Sequence, residues 1–107
     1  TARALELVFT AEAIDGREAE RIGMVNKVVP AGQLMAAAKE MAAKISQNSP
    51  IALGFAKAAI YKGVNETDIA AQMDYEAYVE SVLFNTEDFQ EGIKSFMEGR
   101  QAKFKGK

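Results

Sequence analysis

The sequence predicts an all-α chain of five or six helices with at most one short strand. Three observations carry that reading. Apolar residues recur at three- and four-residue spacing along most of the chain. Cap residues and glycines stand where those periodic stretches start and stop. Only two prolines occur among 107 residues, and both read as punctuation.

Ala4, Leu5, Val8 and Phe9 share one face of a short first helix, and Thr10 to Ile14 reads as a turn. Asp15 and Glu18 have the spacing of a capping box, in which each end satisfies a backbone N–H of the other. A second short helix follows, with Ala19 and Ile22 facing inward and Gly23 as a left-handed stop. Met24-Val25-Asn26-Lys27-Val28-Val29 is rich in β-branched residues and ends at Pro30. It is the candidate strand; extended coil fits equally, because a lone strand has no partner.

Leu34, Ala38, Met41 and Ile45 mark an amphipathic helix over residues 32–47. Ser49-Pro50 is a cap followed by proline at the first helical position, where its missing N–H costs nothing. The helix over 50–62 is apolar almost all round, as expected of one sandwiched between neighbours, and Gly63 ends it. Asn65 or Thr67 caps the next helix, whose stripe includes Ile69, Met73, Tyr75, Tyr78, Val79 and Val82. Thr86 caps the last helix, with Glu87 and Asp88 complementing its dipole and Phe89, Ile93, Phe96 and Met97 on its buried face. Gly99 closes it. We expect 1–107 to be a single helical segment. Because it opens in mid-pattern without Met, we also expect it to be a piece of a longer chain.

Composition excludes several chemistries. The chain has no His and no Cys, which removes disulfides, thiolate catalysis, the usual metal ligands and any Ser-His triad. No stretch approaches the roughly 18 apolar residues of a membrane span. A net charge of −2 is unlike that of a basic nucleic-acid binder. The charge is segregated, however. Residues 64–98 carry nine acidic groups and one basic, whereas residues 99–107 carry four basic and none acidic. Either an acidic face meets the basic tail, or the tail meets an anionic ligand or partner.

The remaining constellations are weak. Glu87, Asp88 and Glu91 read as a solvated helix start rather than a metal site. Glu76 and Glu80 lie four apart near the aromatic stripe, as on any exposed helix face; a catalytic role would need burial to raise a pKa. The glycines form no phosphate-binding loop. Lys57 sits in the middle of an apolar helix, so a carboxylate or helix C-terminus should lie close to it. Tyr75, Tyr78, Phe84, Phe89 and Phe96 place aromatics along the last two helices, as core or as an interface.

The ordered set of motifs resembles the latter part of the enoyl-CoA hydratase/isomerase (crotonase) family. The matching strings are Ala4-Leu5-Glu6-Leu7-Val8-Phe9-Thr10, Ile14-Asp15-Gly16-Arg17-Glu18-Ala19 and Ile22-Gly23-Met24-Val25-Asn26-Lys27-Val28-Val29-Pro30. Then come Ser49-Pro50 with Ala56-Lys57, the stretch Glu76 to Phe84, Thr86-Glu87-Asp88, Glu91-Gly92 before Phe96, and Glu98 with Arg100 ahead of Phe104-Lys105-Gly106. Ala11 stands where the family pattern has Gly, and Gly16 where it has Ala.

That resemblance implies the C-terminal helical lid and trimerisation segment of the crotonase fold. The CoA pocket, the oxyanion hole and the two catalytic Glu residues of hydratases belong to the preceding part of the family fold, so no catalytic residue carries over to this chain. In some members an aromatic and a Lys on the last helices reach the CoA of a neighbouring subunit; Glu80 and Gly99 stand nearest those positions here. Arg100 and Lys103 are substitutes of the right charge for a CoA phosphate. Tyr75, Tyr78, Phe89 and Phe96 are the candidate interface residues. The resemblance implies a CoA thioester as the parent's substrate, no other cofactor and no metal. It implies self-association as a trimer or hexamer, packing against the N-terminal catalytic part, and no nucleic-acid or membrane partner. It implies a cytoplasmic location in a bacterium or a mitochondrial one. The other function class is a free-standing helical assembly or protein-interaction module.

Overall fold

The computed structural model describes all 107 residues. It contains six helices and no strand: α1 (Ala2–Thr10), α2 (Gly16–Arg21), α3 (Leu34–Ile45), α4 (Pro50–Asn65), α5 (Ile69–Leu83) and α6 (Glu87–Glu98). The all-α expectation therefore holds, and the candidate strand at residues 24–29 is turn and coil. The chain divides into two units, Thr1–Lys39 and Glu40–Lys107, with the boundary inside α3.

The first unit is held mainly by local bonds. Asp15 Oδ1 accepts the Glu18 N–H at 2.8 Å, so the cap forms as expected. The reciprocal half of the box does not. The Glu18 carboxylate instead takes both arms of the Arg21 guanidinium, at 2.6 and 2.5 Å, because a charge-assisted bidentate pair outcompetes one neutral N–H. Gly23 turns left-handed at φ 77° and ends α2. A Cβ on Gly16 would lie 3.3 Å from a Val28 methyl, so the small residue lets the coil after α2 pass close to the helix start. The end of α1 is less comfortable: Ala11 sits at φ 51°, a left-handed cap that suits Gly. No residue of this unit is fully buried.

The second unit is built on a helix pair and a terminal helix. Ser49 caps α4 by accepting the Ala52 N–H, and Pro50 takes the first position, as the sequence suggested. The expected stop at Gly63 is not one, and α4 continues to Asn65. Gly63 has a packing role instead. A Cβ there would meet the Gln72 amide at 3.3 Å, so its absence lets α5 approach α4 closely enough for Gln72 Nε2 to reach the Ala59 carbonyl.

The cap of α5 is Asp68, not Asn65 or Thr67; its Oδ1 accepts the N–H groups of Ala70 and Ala71. Glu66 fills the turn, accepting the Thr67 and Asp68 N–H groups while pairing with Lys62. Thr86 caps α6 by accepting the Phe89 N–H at 3.1 Å, and Gly99 closes it at φ 64°.

Burial departs most from the sequence reading. Val79, 7% exposed, is the one buried apolar side chain. The outer parts of α4 are open, with Ile60, Tyr61 and Val64 exposed, so this apolar helix is not sandwiched. Phe96 and Met97, expected on the buried face of α6, are 88% and 80% exposed, and Ile93 is exposed as well. Lys57 is not buried and needs no carboxylate; its ammonium lies 6.0 Å from the Tyr61 ring centre. The chain exposes 8700 Å². Two separate compact domains of these sizes would expose only roughly 7,000 Å².

Candidate functional site

The densest polar site centres on Asp88, in the first turn of α6. Read from sequence as part of a solvated helix start, it is only 3% exposed. Its carboxylate accepts the Ser49 hydroxyl at 2.6 Å, the Lys105 N–H at 2.7 Å and the Gly106 N–H at 3.0 Å. Its own N–H donates to the Lys107 carbonyl at 3.0 Å. One side chain thus ties together the start of α4, the start of α6 and the C-terminal tail. Burial pushes the Asp88 carboxyl up, but the Ser49 hydroxyl and the two backbone N–H groups outweigh it and leave the pKa below the ordinary value.

Glu91, one turn further along α6, makes a second anchor. It takes both arms of the Arg100 guanidinium at 2.6 and 2.9 Å and the Lys103 N–H at 2.8 Å. The Arg100 guanidinium, with the Lys103 N–H, lowers the Glu91 carboxyl from 4.5 to about 2. Glu91, with Glu98, holds the Arg100 guanidinium more firmly charged than usual. The acidic helix therefore does meet the basic tail, through side-chain and backbone donors together.

Beside this hub lies an apolar groove of about 480 Å³, lined in part by Ala52, Leu83, Phe89, Ile93, Phe96 and Phe104. Phe104 packs over Gly92, where a Cβ would lie 3.8 Å from the ring edge, an ordinary contact. Phe89 meets Phe84 with ring centres 4.7 Å apart and planes tilted by 52°.

The sequence candidates fall in different settings. Arg100 is engaged on three sides, by Glu91, Glu98 and the Gln101 carbonyl. The Lys103 side chain borders a mixed-charge hollow with Glu87, Glu91, Lys94 and Lys105. Tyr78 and Phe96 are exposed, whereas Phe89 and Tyr75 are half-buried; the Lys62 ammonium lies 5.5 Å from the Tyr75 ring centre. Glu76 binds the Gln72 amide at 2.7 Å, and both Glu76 and Glu80 are exposed. Sequence reasoning missed Asp88 and Ser49 as a joint site because they stand 39 positions apart; each had a sufficient local explanation as a cap or dipole partner.

The sequence profile of the enoyl-CoA hydratase/isomerase family matches residues 1–107. The chain belongs to that family. The short-chain-enoyl-CoA hydratase of Clostridium acetobutylicum is 42% identical over 98 residues, covering 92% of this chain and 37% of that protein. The crotonyl-CoA hydratase of Syntrophomonas wolfei is 40% identical over 101 residues, covering 94% and 38%. Among solved structures, an enoyl-CoA hydratase from Bacillus anthracis superposes with a TM-score of 0.93 at 36% identity, covering all of this chain and 41% of that one. The family resemblance read from the motifs is thereby established, and the six helices match the helical segment of a crotonase-family structure. The chain spans only about two fifths of the length of these hydratases. No helix in this family member is long and apolar enough to cross a membrane.

Proposed function

We propose that this chain is the C-terminal covering and assembly segment of an enzyme that hydrates enoyl-CoA thioesters. The observation that carries the reading is a pairing of coverage and exposure. The chain aligns along its whole length with about two fifths of known hydratases, and it leaves unusually large apolar faces open. Twenty large hydrophobic side chains are exposed, more than an isolated domain tolerates without a partner surface.

The parent would add water across the α,β double bond of a CoA thioester. Fixed N–H donors would stabilise the thioester enolate, and carboxylates outside this chain would move the protons. Residues 1–107 would supply no reacting group. Tyr75, Tyr78, Phe89 and Phe96 would face neighbouring protein in a trimer or hexamer. Lys103 remains the better placed of the two basic candidates for a CoA phosphate, because the Arg100 charge is already matched by Glu91 and Glu98.

Hydration of crotonyl-CoA and sedimentation, measured on the 107-residue chain and on the full-length protein, test this. The full-length protein should turn over and sediment as a trimer or hexamer, and Phe96→Ser in it should weaken the assembly. The chain alone should show no turnover. Turnover by the 107 residues alone, or an active full-length monomer, would overturn the reading.

A further inference from the structure

Two exposed helix faces carry opposite charges that find no match inside the chain. On α5, Met73, Glu76, Ala77, Glu80 and Phe84 recur at three- and four-residue steps, and all are exposed. Met73, Ala77 and Phe84 make an apolar strip, and Glu76 and Glu80 give it a carboxylate edge. On α6, Ile93, Lys94 and Met97 are exposed at the same spacing. Here the apolar strip has a basic edge, because Lys94 borders a hollow of about 340 Å³ together with Lys103 and Lys105. Among the acids at that hollow, Asp88 is matched by Ser49 and the tail N–H groups and Glu91 by Arg100. Glu87 alone is left against three ammonium groups. Glu76, Glu80, Lys94 and Lys105 make no ion pair within the chain. Glu76 takes the Gln72 amide, which brings no charge.

We infer that the acid-edged strip of α5 docks head-to-tail on the lysine-edged strip of α6 in a second copy of this chain, with Glu76 and Glu80 set against Lys94 and Lys105.

The inference rests on the assembly proposed above and names the surfaces that make it. The occupant is a second copy because both halves of the match stand in this one sequence. Contact of α5 with α5 would set acid against acid, and contact of α6 with α6 would set lysine against lysine; only the crossed pairing brings opposite charges together. Where each copy offers one face to each neighbour, the contact is heterologous and closes into a ring, which is the geometry of a trimer. The two parts of each face have different work. The apolar strips lose water on contact and supply most of the affinity, as the core of an interface does. The rim charges are exposed, so each pair adds little strength, but together they select which face meets which. Lys103 is left free for the phosphate role given to it above.

Charge reversal in the full-length protein, read by sedimentation, tests the pairing. Glu76→Lys with Glu80→Lys should weaken the assembly by about tenfold or more, and Lys94→Glu with Lys105→Glu should do the same. All four substitutions in one chain restore opposite charges across the contact and should recover most of the loss. If a reversed variant loses its helical circular dichroism, Glu76→Gln with Glu80→Gln gives the reading instead. Salt should loosen the unaltered assembly, and those neutral substitutions should flatten that dependence. Reversals that leave the assembly unchanged, a fourfold variant no better than either double one, or a salt dependence untouched by the neutral pair would overturn the α5-to-α6 docking. Each of those results leaves the full-length protein assembled or active by another surface, and so differs from the active monomer that would overturn the assembly reading itself.

Discussion

The two units of the chain solve the same problem differently. In Thr1–Lys39 no residue is fully buried, and order comes from caps, an Arg21–Glu18 pair and a left-handed turn, each spanning a few positions. In Glu40–Lys107 the buried set is Val79 with Ser49, Asp88 and Ser95. Three of those four are polar. The second unit is thus fastened by a satisfied polar junction more than by an oily core. Buried polar groups stabilise only when each finds a partner, and these three do, Asp88 with Ser49 and the tail and Ser95 with the Gly92 carbonyl, whereas the buried Gln72 Oε1 of the same unit has none. A chain with little core of its own can still specify its helices by local bonds. Its apolar faces are then left exposed.

Three measurements would break or sharpen this contrast. The largest effect should come from acid, and it should fall on the second unit. Glu91 and Asp88 both titrate below their ordinary values when folded, Glu91 at about 2 against 4.5. Deprotonation therefore favours the folded state. The contribution is complete above about pH 5 and is lost as the pH falls through about 2. Urea midpoints should drop across that window, and Glu91→Gln should flatten the drop; an unchanged slope in that variant would remove Glu91 from the explanation.

Next in size is Val79→Ala. Trimming the one buried apolar side chain should cost about 2 kcal/mol in urea unfolding. A loss near zero would mean that α5 is held without it.

The smallest effect, and the only stabilising one, should be Ala11→Gly. It relieves a left-handed cap at φ 51°, for a gain of roughly 1 kcal/mol. If it destabilised instead, the end of α1 would be held by something other than its own turn.

Much of the architecture was legible without coordinates, because helix signals are local. As caps and stops, Thr86, Asp15, Ser49-Pro50, Gly23 and Gly99 each act within one turn of where they stand. The errors share a cause. Gly63 reads as a stop until Gln72 of the next helix is known to need its missing Cβ. Glu18 reads as half of a box until Arg21 competes for it. Phe96 reads as core because an amphipathic stripe marks a face as apolar and does not record whether anything in the chain packs on it. Family membership was also legible, since it rests on an ordered series of short motifs.

The amino-acid order by itself determined where the helices lie, which faces are apolar and which family the chain joins. These follow from periodicity, caps and turn residues acting over a few positions. Only the tertiary structure decided that Asp88 is buried, that Ser49 and the Gly106 N–H converge on it, and that the tail lies along α6. Those facts depend on groups up to 39 positions apart meeting in space, and no local pattern records such a meeting.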